Sequence, residues 1–345
     1  MVEERNIKLD GLTLNCKLLR RNSDKAAVLI HGNLCSSDIW LDVIPSIPDE
    51  YDVIAPDLRG FGKSGRAPVD ARKGLGDYSS DLWRLFDTMG YEKACLIGHS
   101  MGGGVALQML LKKPERVSKV VLVDPISPFG FGGTKDENGT PCYSDYSGSG
   151  GGMIAILNPD FPKFLLEKYR GVDHPSAPAN ALRAFFSENY TPSEKLIDRM
   201  LEMFFQTEVG DDYYPGNYVK SRNWPYFAPG DRGVLNAFSP KYLDLSGIAD
   251  LEIKPSIFWI HGRKDMVVCN SSPLDPAVLG ASGIIPDYPG VDVFPPQPML
   301  SQIRSVLERY RGKGGDYTAI FIDEAGHTPF IERRTEFEKL IRELL

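Results

Sequence analysis

Ser100 is the residue whose setting says most about chemistry. It lies at the centre of Gly98-His99-Ser100-Met101-Gly102, after the apolar run Lys93-Ala94-Cys95-Leu96-Ile97 and before the helix-forming run Val105-Ala106-Leu107-Gln108-Met109-Leu110-Leu111. A serine on a sharp strand-to-helix turn sits in a strained backbone conformation, and side chains two residues either way would collide with it. Glycine at positions 98 and 102 removes the collision. The hydroxyl then stands above the sheet edge. The first N–H groups of the following helix point at whatever it attacks. The expected chemistry is nucleophilic attack by Ser100 on a carbonyl.

A serine hydroxyl is a poor nucleophile at neutral pH and needs an adjacent base. The chain has five histidines. His31 and His261 each precede a glycine at a strand end, His99 lies inside the turn, and His174 sits among prolines. His327 follows the last strand in Asp323-Glu324-Ala325-Gly326-His327-Thr328-Pro329-Phe330, on a loop before the final helix. Functional groups of open α/β sheets gather at the carboxyl ends of strands, so His327 is the expected base. A carboxylate must orient it. Asp265, in His261-Gly262-Arg263-Lys264-Asp265, follows the penultimate strand, and its spacing leaves room to turn toward His327. Asp124, after Val117 to Val123, is the rival acid. An oxyanion would be held by two backbone N–H groups. One is that of Met101, and the other comes from the loop after His31-Gly32, most simply Asn33.

Positioning these groups takes a sheet. Ile7-Lys8-Leu9 and Leu12 to Leu18 alternate around Asp10-Gly11 and predict a hairpin. Ala26 to Ile30, Asp52 to Ala55, Ala94 to Ile97, Val117 to Val123, Ser256 to Ile260 and Thr318 to Ile322 read as further strands, several of them continuously apolar. Helical periodicity appears in Ser79 to Met89, Met101 to Lys112, Met299 to Arg311 and Ile331 to Leu345. This alternation predicts a parallel sheet with helices on both faces.

The pattern breaks between about Ile126 and Lys254, where no clear buried strand is read. The Gly- and Ser-rich stretch from Phe129 to Gly152 reads as a mobile loop. Amphipathic helical segments follow at Phe161 to Tyr169, Ala179 to Glu188 and Ser193 to Gln206. Aromatics crowd this region, and most are expected to form its own core while the rest line an apolar pocket over the serine. A second irregular stretch, Asn270 to Pro298, leaves from the strand ending at His261-Gly262 and is expected to border the same mouth.

Composition excludes other classes. The net charge of −7 and the lack of a basic stripe argue against nucleic acid or an anionic membrane as partner. No run approaches the roughly 20 apolar residues of a membrane span. Cys16, Cys35, Cys95, Cys142 and Cys269 are widely spaced and odd in number, and the start of the chain has no apolar signal core. Free thiols in a cytoplasmic protein are expected. Gly60-Phe61-Gly62-Lys63-Ser64-Gly65 matches a dinucleotide-binding pattern, yet no helix opens from it. No metal and no cofactor are expected.

Four blocks together resemble the α/β-hydrolase superfamily. They are His31-Gly32-Asn33, Asp57-Leu58-Arg59-Gly60-Phe61-Gly62-Lys63-Ser64, Gly98-His99-Ser100-Met101-Gly102-Gly103 and Gly326-His327. The resemblance implies the α/β-hydrolase fold, a mostly parallel central sheet with helices on both faces and an inserted helical cap. Residues 1–125 and 254–345 would form the core, and 126–253 the cap. The order Ser100, Asp265, His327 is that of the family. Dehalogenase and epoxide hydrolase relatives carry Asp at the elbow, where this chain has Ser100. The implied activity is that of a serine hydrolase cleaving a carboxylic ester or related acyl compound through an acyl-enzyme on Ser100. Lactonase, thioesterase, carbon–carbon bond hydrolase and acyltransferase activities, or a non-catalytic binding role, remain open. The implied partner is a small apolar or aromatic acyl compound.

Overall fold

Eight strands form one sheet in the order β1-β2-β4-β3-β5-β6-β7-β8. They are β1 Glu3–Leu9, β2 Leu12–Leu19, β3 Ala26–Ile30, β4 Asp52–Pro56, β5 Ala94–His99, β6 Val117–Val123, β7 Ile257–Gly262 and β8 Tyr317–Ile322 in a computed structural model that describes residues 1–345. β1 pairs with β2, and β2 with β4, antiparallel; the remaining neighbours are parallel. Every residue of β3, β4 and β5 is buried, so both faces of the sheet centre are covered. The six main helices are α1 Gly76–Met89, α2 Met101–Lys112, α3 Asp160–Leu166, α4 Glu194–Phe205, α5 Met299–Gly312 and α6 Arg334–Leu344. α2 packs on β5, β6, β3 and α1. No helix is long and apolar enough to cross a membrane.

Sequence expectation and structure differ in several places. The final helical run is broken at Arg333, leaving a short turn Pro329–Glu332 before α6. Ala179 to Glu188 holds only one turn of α-helix, Pro178–Ala181, followed by the 3₁₀ turn Leu182–Phe185. The region from 126 to 253 does contain short strands. Val209–Gly210 pairs with Tyr214–Pro215, and Tyr218–Lys220 with Phe227–Pro229, two of them fully buried.

The largest difference is the stretch expected to be a mobile loop. Thr134, Ser147 and Ser149 within Phe129 to Gly152 are 0% exposed. Gly132 N–H donates to Gln297 Oε1 at 2.7 Å, Ser127 Oγ to Gln302 Oε1 at 2.6 Å, and Gln302 Nε2 to Thr134 Oγ1 at 2.9 Å. Small residues let this backbone enter the interior, and side chains from α5 and its lead-in satisfy its polar groups.

Asn270 to Pro298 is also fastened. Trp224, Ala277, Ile285 and Phe294 form a small separate core, and Trp224 Nε1–H donates to Pro286 O at 2.8 Å. Asp275 holds this segment by accepting the Ala277 N–H at 2.7 Å and the Gln297 N–H at 3.0 Å. No cation faces it, and burial pushes its carboxyl up to about 6. The folded protein therefore holds this proton more tightly than the unfolded chain. The associated stability is full below the unfolded carboxylate value and is lost as pH rises through about 6. Its loss between acid and neutral pH is expected to be about 3 kcal/mol. Urea unfolding of wild type and Asp275→Asn across this range checks it, the wild type losing stability relative to the variant as pH rises.

Candidate active site

The turn after β5 carries Ser100 at φ +54°, outside the regions a serine prefers. Three backbone hydrogen bonds hold it there. Ser100 N–H donates to Val123 O at 3.0 Å, and Ser100 O accepts from Gly103 N–H at 2.9 Å and Ile126 N–H at 3.1 Å. The flanking glycines are demanded by close approach. A Cβ on Gly98 would stand 2.3 Å from Gly102 O, and one on Gly102 would stand 2.2 Å from Ile30 O. Because Ile30 O is a backbone atom of β3 and cannot move aside, Gly102→Ala is expected to destabilise by about 3 kcal/mol, read as a lower urea midpoint at unchanged slope.

His327 sits on the loop between β8 and the Pro329 turn. Its Nδ1–H donates to Asp265 Oδ2 at 2.8 Å. Asp265 follows β7 and turns inward because Val267 and Val268 N–H groups donate to its Oδ1 at 2.7 and 3.0 Å. Burial works to raise the Asp265 carboxyl, but the His327 imidazole and these hydrogen bonds outweigh it and hold it below the usual range. The pairing fixes His327 as the Nδ1–H tautomer and leaves Nε2 free to accept a proton. His99, the residue before Ser100, ties the imidazole loop to the elbow. Its Nε2–H donates to His327 O at 2.8 Å, and the two rings lie 4.7 Å apart. Ser100 Oγ and His327 Nε2 carry no hydrogen bond within the protein, so the structure does not join hydroxyl and imidazole directly.

Asp124 does not meet His327. Its Oδ1 accepts Gly262 N–H at 2.8 Å instead. His31 is structural: Nδ1–H donates to Gly32 O at 2.7 Å, and Nε2 accepts Leu58 N–H at 2.9 Å. His174 lies on the surface with Nδ1 accepting Ser176 N–H at 3.1 Å. Asn33 and Met101 keep backbone N–H groups without a protein acceptor, and Asn33 Oδ1 is buried and unpartnered. Gly32 brings this loop against the elbow, where an added Cβ would stand 2.9 Å from Ser100 Cβ. The Asp57 block is a turn. Asp57 Oδ1 accepts Ser37 N–H at 2.7 Å, and Oδ2 accepts Lys63 N–H at 2.9 Å. Asp124, His261 and Asp265 lie within metal-ligand reach of one another, but these side chains are engaged in hydrogen bonds inside the protein.

The sequence marks the aromatics of the 126–253 region only as a group, without picking out those that approach the imidazole. Phe185 meets His327 edge to face, with ring centroids 5.5 Å apart. Phe204, Phe161 and Tyr214 continue the aromatic line away from the imidazole at centroid steps of 5.8, 6.4 and 6.2 Å. Glu332 bridges the two regions. Its Oε1 accepts Gly326 N–H at 2.8 Å, while Oε2 accepts Ser187 N–H at 2.9 Å and Ser187 Oγ–H at 2.6 Å. No sequence pattern flags a carboxylate whose partner lies 145 positions away.

A family model described as alpha/beta hydrolase fold matches residues 26–288. The chain belongs to the α/β-hydrolase family. A 2-hydroxy-6-oxo-6-phenylhexa-2,4-dienoate hydrolase from Burkholderia cepacia is 35% identical over 264 residues, 73% of each protein. A fluoroacetate dehalogenase from Burkholderia sp is 32% identical over 130 residues, 37% of this chain and 42% of that protein. The match thus spans less than half of that relative. An esterase from Exiguobacterium antarcticum shares the fold of this α/β hydrolase with a TM-score of 0.61, at 18% identity and 98% coverage of both chains.

Proposed function

We propose that this α/β hydrolase cleaves a carboxylic ester or related acyl compound through an acyl-enzyme on Ser100. The observation that carries the reading is the 2.8 Å hydrogen bond between His327 and Asp265, with the imidazole loop tied to the elbow through His99. As Ser100 Oγ attacks the carbonyl carbon, its proton passes to His327 Nε2. Asp265 keeps the imidazole in the required tautomer and steadies the imidazolium. Hydroxyl–imidazole contacts are often loose before substrate arrives and tighten on binding. The N–H groups of Asn33 and Met101 receive the oxyanion, each worth about 2.7–4 kcal/mol of barrier. His327 then protonates the leaving alcohol, and a water activated by the same imidazole releases the acid.

In this reading residues 126–253 are a cap on a core of 1–125 and 254–345, and Phe185 is its point of contact with the imidazole. The aromatic line suits an apolar or aromatic acyl group. The buried thiols of Cys16, Cys35 and Cys95 suit a reducing, cytoplasmic setting. The test is a panel of chromogenic esters, thioesters, lactones and amides, with fluorophosphonate labelling of Ser100. Turnover of esters together with labelling supports the reading; a folded protein that does neither overturns it.

The match to the phenylhexadienoate hydrolase over most of both chains favours a second reading, hydrolysis of a carbon–carbon bond next to a ketone. Turnover of 2-hydroxy-6-oxo-6-phenylhexa-2,4-dienoate far above that of any ester would select it.

A further inference from the structure

Asp124 is a buried carboxyl at the site that the proposed relay leaves unused. It closes β6 at φ +43° and is 0% exposed. Oδ1 accepts Gly262 N–H at 2.8 Å and lies 3.4 Å from His261 Nδ1. Oδ2 is buried with no partner. One polar atom from each of Asp124, His261 and Asp265 lies within 4.8 Å of the other two.

Two carboxylates this close in a dry site do not both stay charged without a cation between them. His261 supplies none. Its Nε2–H donates to Val268 O at 3.1 Å, its Nδ1 accepts the Trp259 indole N–H at 3.3 Å, and burial disfavours its charged form. His99, at the end of the adjacent β5, is likewise held neutral, first by burial and then by His327. Glu332, from the Pro329 turn, adds only negative charge. The donors decide which carboxyl keeps the charge. Asp265 receives His327 Nδ1–H and two backbone N–H groups, whereas Asp124 receives Gly262 N–H alone.

We propose that Asp124 is a positioning residue, a neutral carboxylic acid whose Oδ2–H donates to the Asp265 carboxylate and so steadies it against His327. Burial, and then the neighbouring charge of Asp265, push the Asp124 carboxyl far above the usual range. The pair holds one proton and one negative charge, and its titration belongs to both members. This rests on the proposed relay, yet it is read without turnover.

The experiment is carbon-13 NMR of aspartate-labelled wild type and Asp124→Asn. The expected result is one carboxyl resonance, missing from the variant, that keeps the shift of a protonated acid through neutral pH. A spectrum in which no aspartate stays protonated through neutral pH overturns the proposal, and the wild type alone suffices if the variant does not fold, since Asp275 loses its proton near 6. If an activity is found, Asp124→Val should lower kcat roughly ten- to hundredfold at little change in KM, because a hydrogen bond to a charged group is lost. Asp124→Asn, which restores a donor, should recover most of that loss without moving the acid limb of the pH–rate profile. An acid limb displaced downward by on the order of one unit in Asp124→Asn would mean that an anion had been removed, and would overturn it. Absence of any turnover bears on the proposed activity and leaves the NMR result standing.

Discussion

Ser100→Ala should lower kcat on the best wild-type ester by on the order of 10⁶-fold while the protein stays folded, since nucleophile and base act as a unit. In the proposed reading the substitution removes the atom that forms the acyl-enzyme. It keeps the backbone bonds to Val123, Gly103 and Ile126 that define the turn. A small loss of stability is expected from placing alanine at φ +54°. Circular dichroism and steady-state kinetics on matched preparations check both parts. A rate that survives would move the chemistry to another residue.

Asp265→Asn should lower kcat by about 10⁴-fold. Asn can offer its oxygen to His327 Nδ1–H only if its amide nitrogen takes the place of Oδ1, where Val267 and Val268 N–H groups now donate. Donor would then face donor. The other rotamer presents N–H to the imidazole and favours the tautomer with the proton on Nε2, the atom required to accept one. Both outcomes disable the base. The check is a full kinetic comparison with wild type, in which KM should change far less than kcat, because the substrate does not touch Asp265 in the proposed relay.

Much of the sheet could be read directly because its strands are continuous apolar runs. Val117–Val123 and Ala26–Ile30 fall at the residues expected, and α2 starts and stops where its periodicity does. What could not be read is which groups hold a side chain after a strand ends. Spacing favours Asp265 over Asp124 as the partner of His327, but only folding shows that Val267 and Val268 N–H groups hold Asp265 turned there while Gly262 N–H holds Asp124. Phe129 to Gly152 was misread for a related reason. Glycine and serine carry no apolar signature, yet their small size is what admits the chain to the interior, and the partners Gln297 and Gln302 are more than 160 residues away. Local pattern reports what a residue can do by itself and is blind to what a distant segment supplies.

The Glu332 bridge has a mechanical corollary. One carboxylate grips both the backbone beside the imidazole and the strand of chain that presents Phe185 to it. Moving Ser187 away would break two of the four hydrogen bonds that Glu332 accepts, leaving those from Gly326 N–H and the Thr328 hydroxyl. One side chain thus anchors the Phe185 segment and the residue before His327 together, so the loss of Glu332 would release both at once.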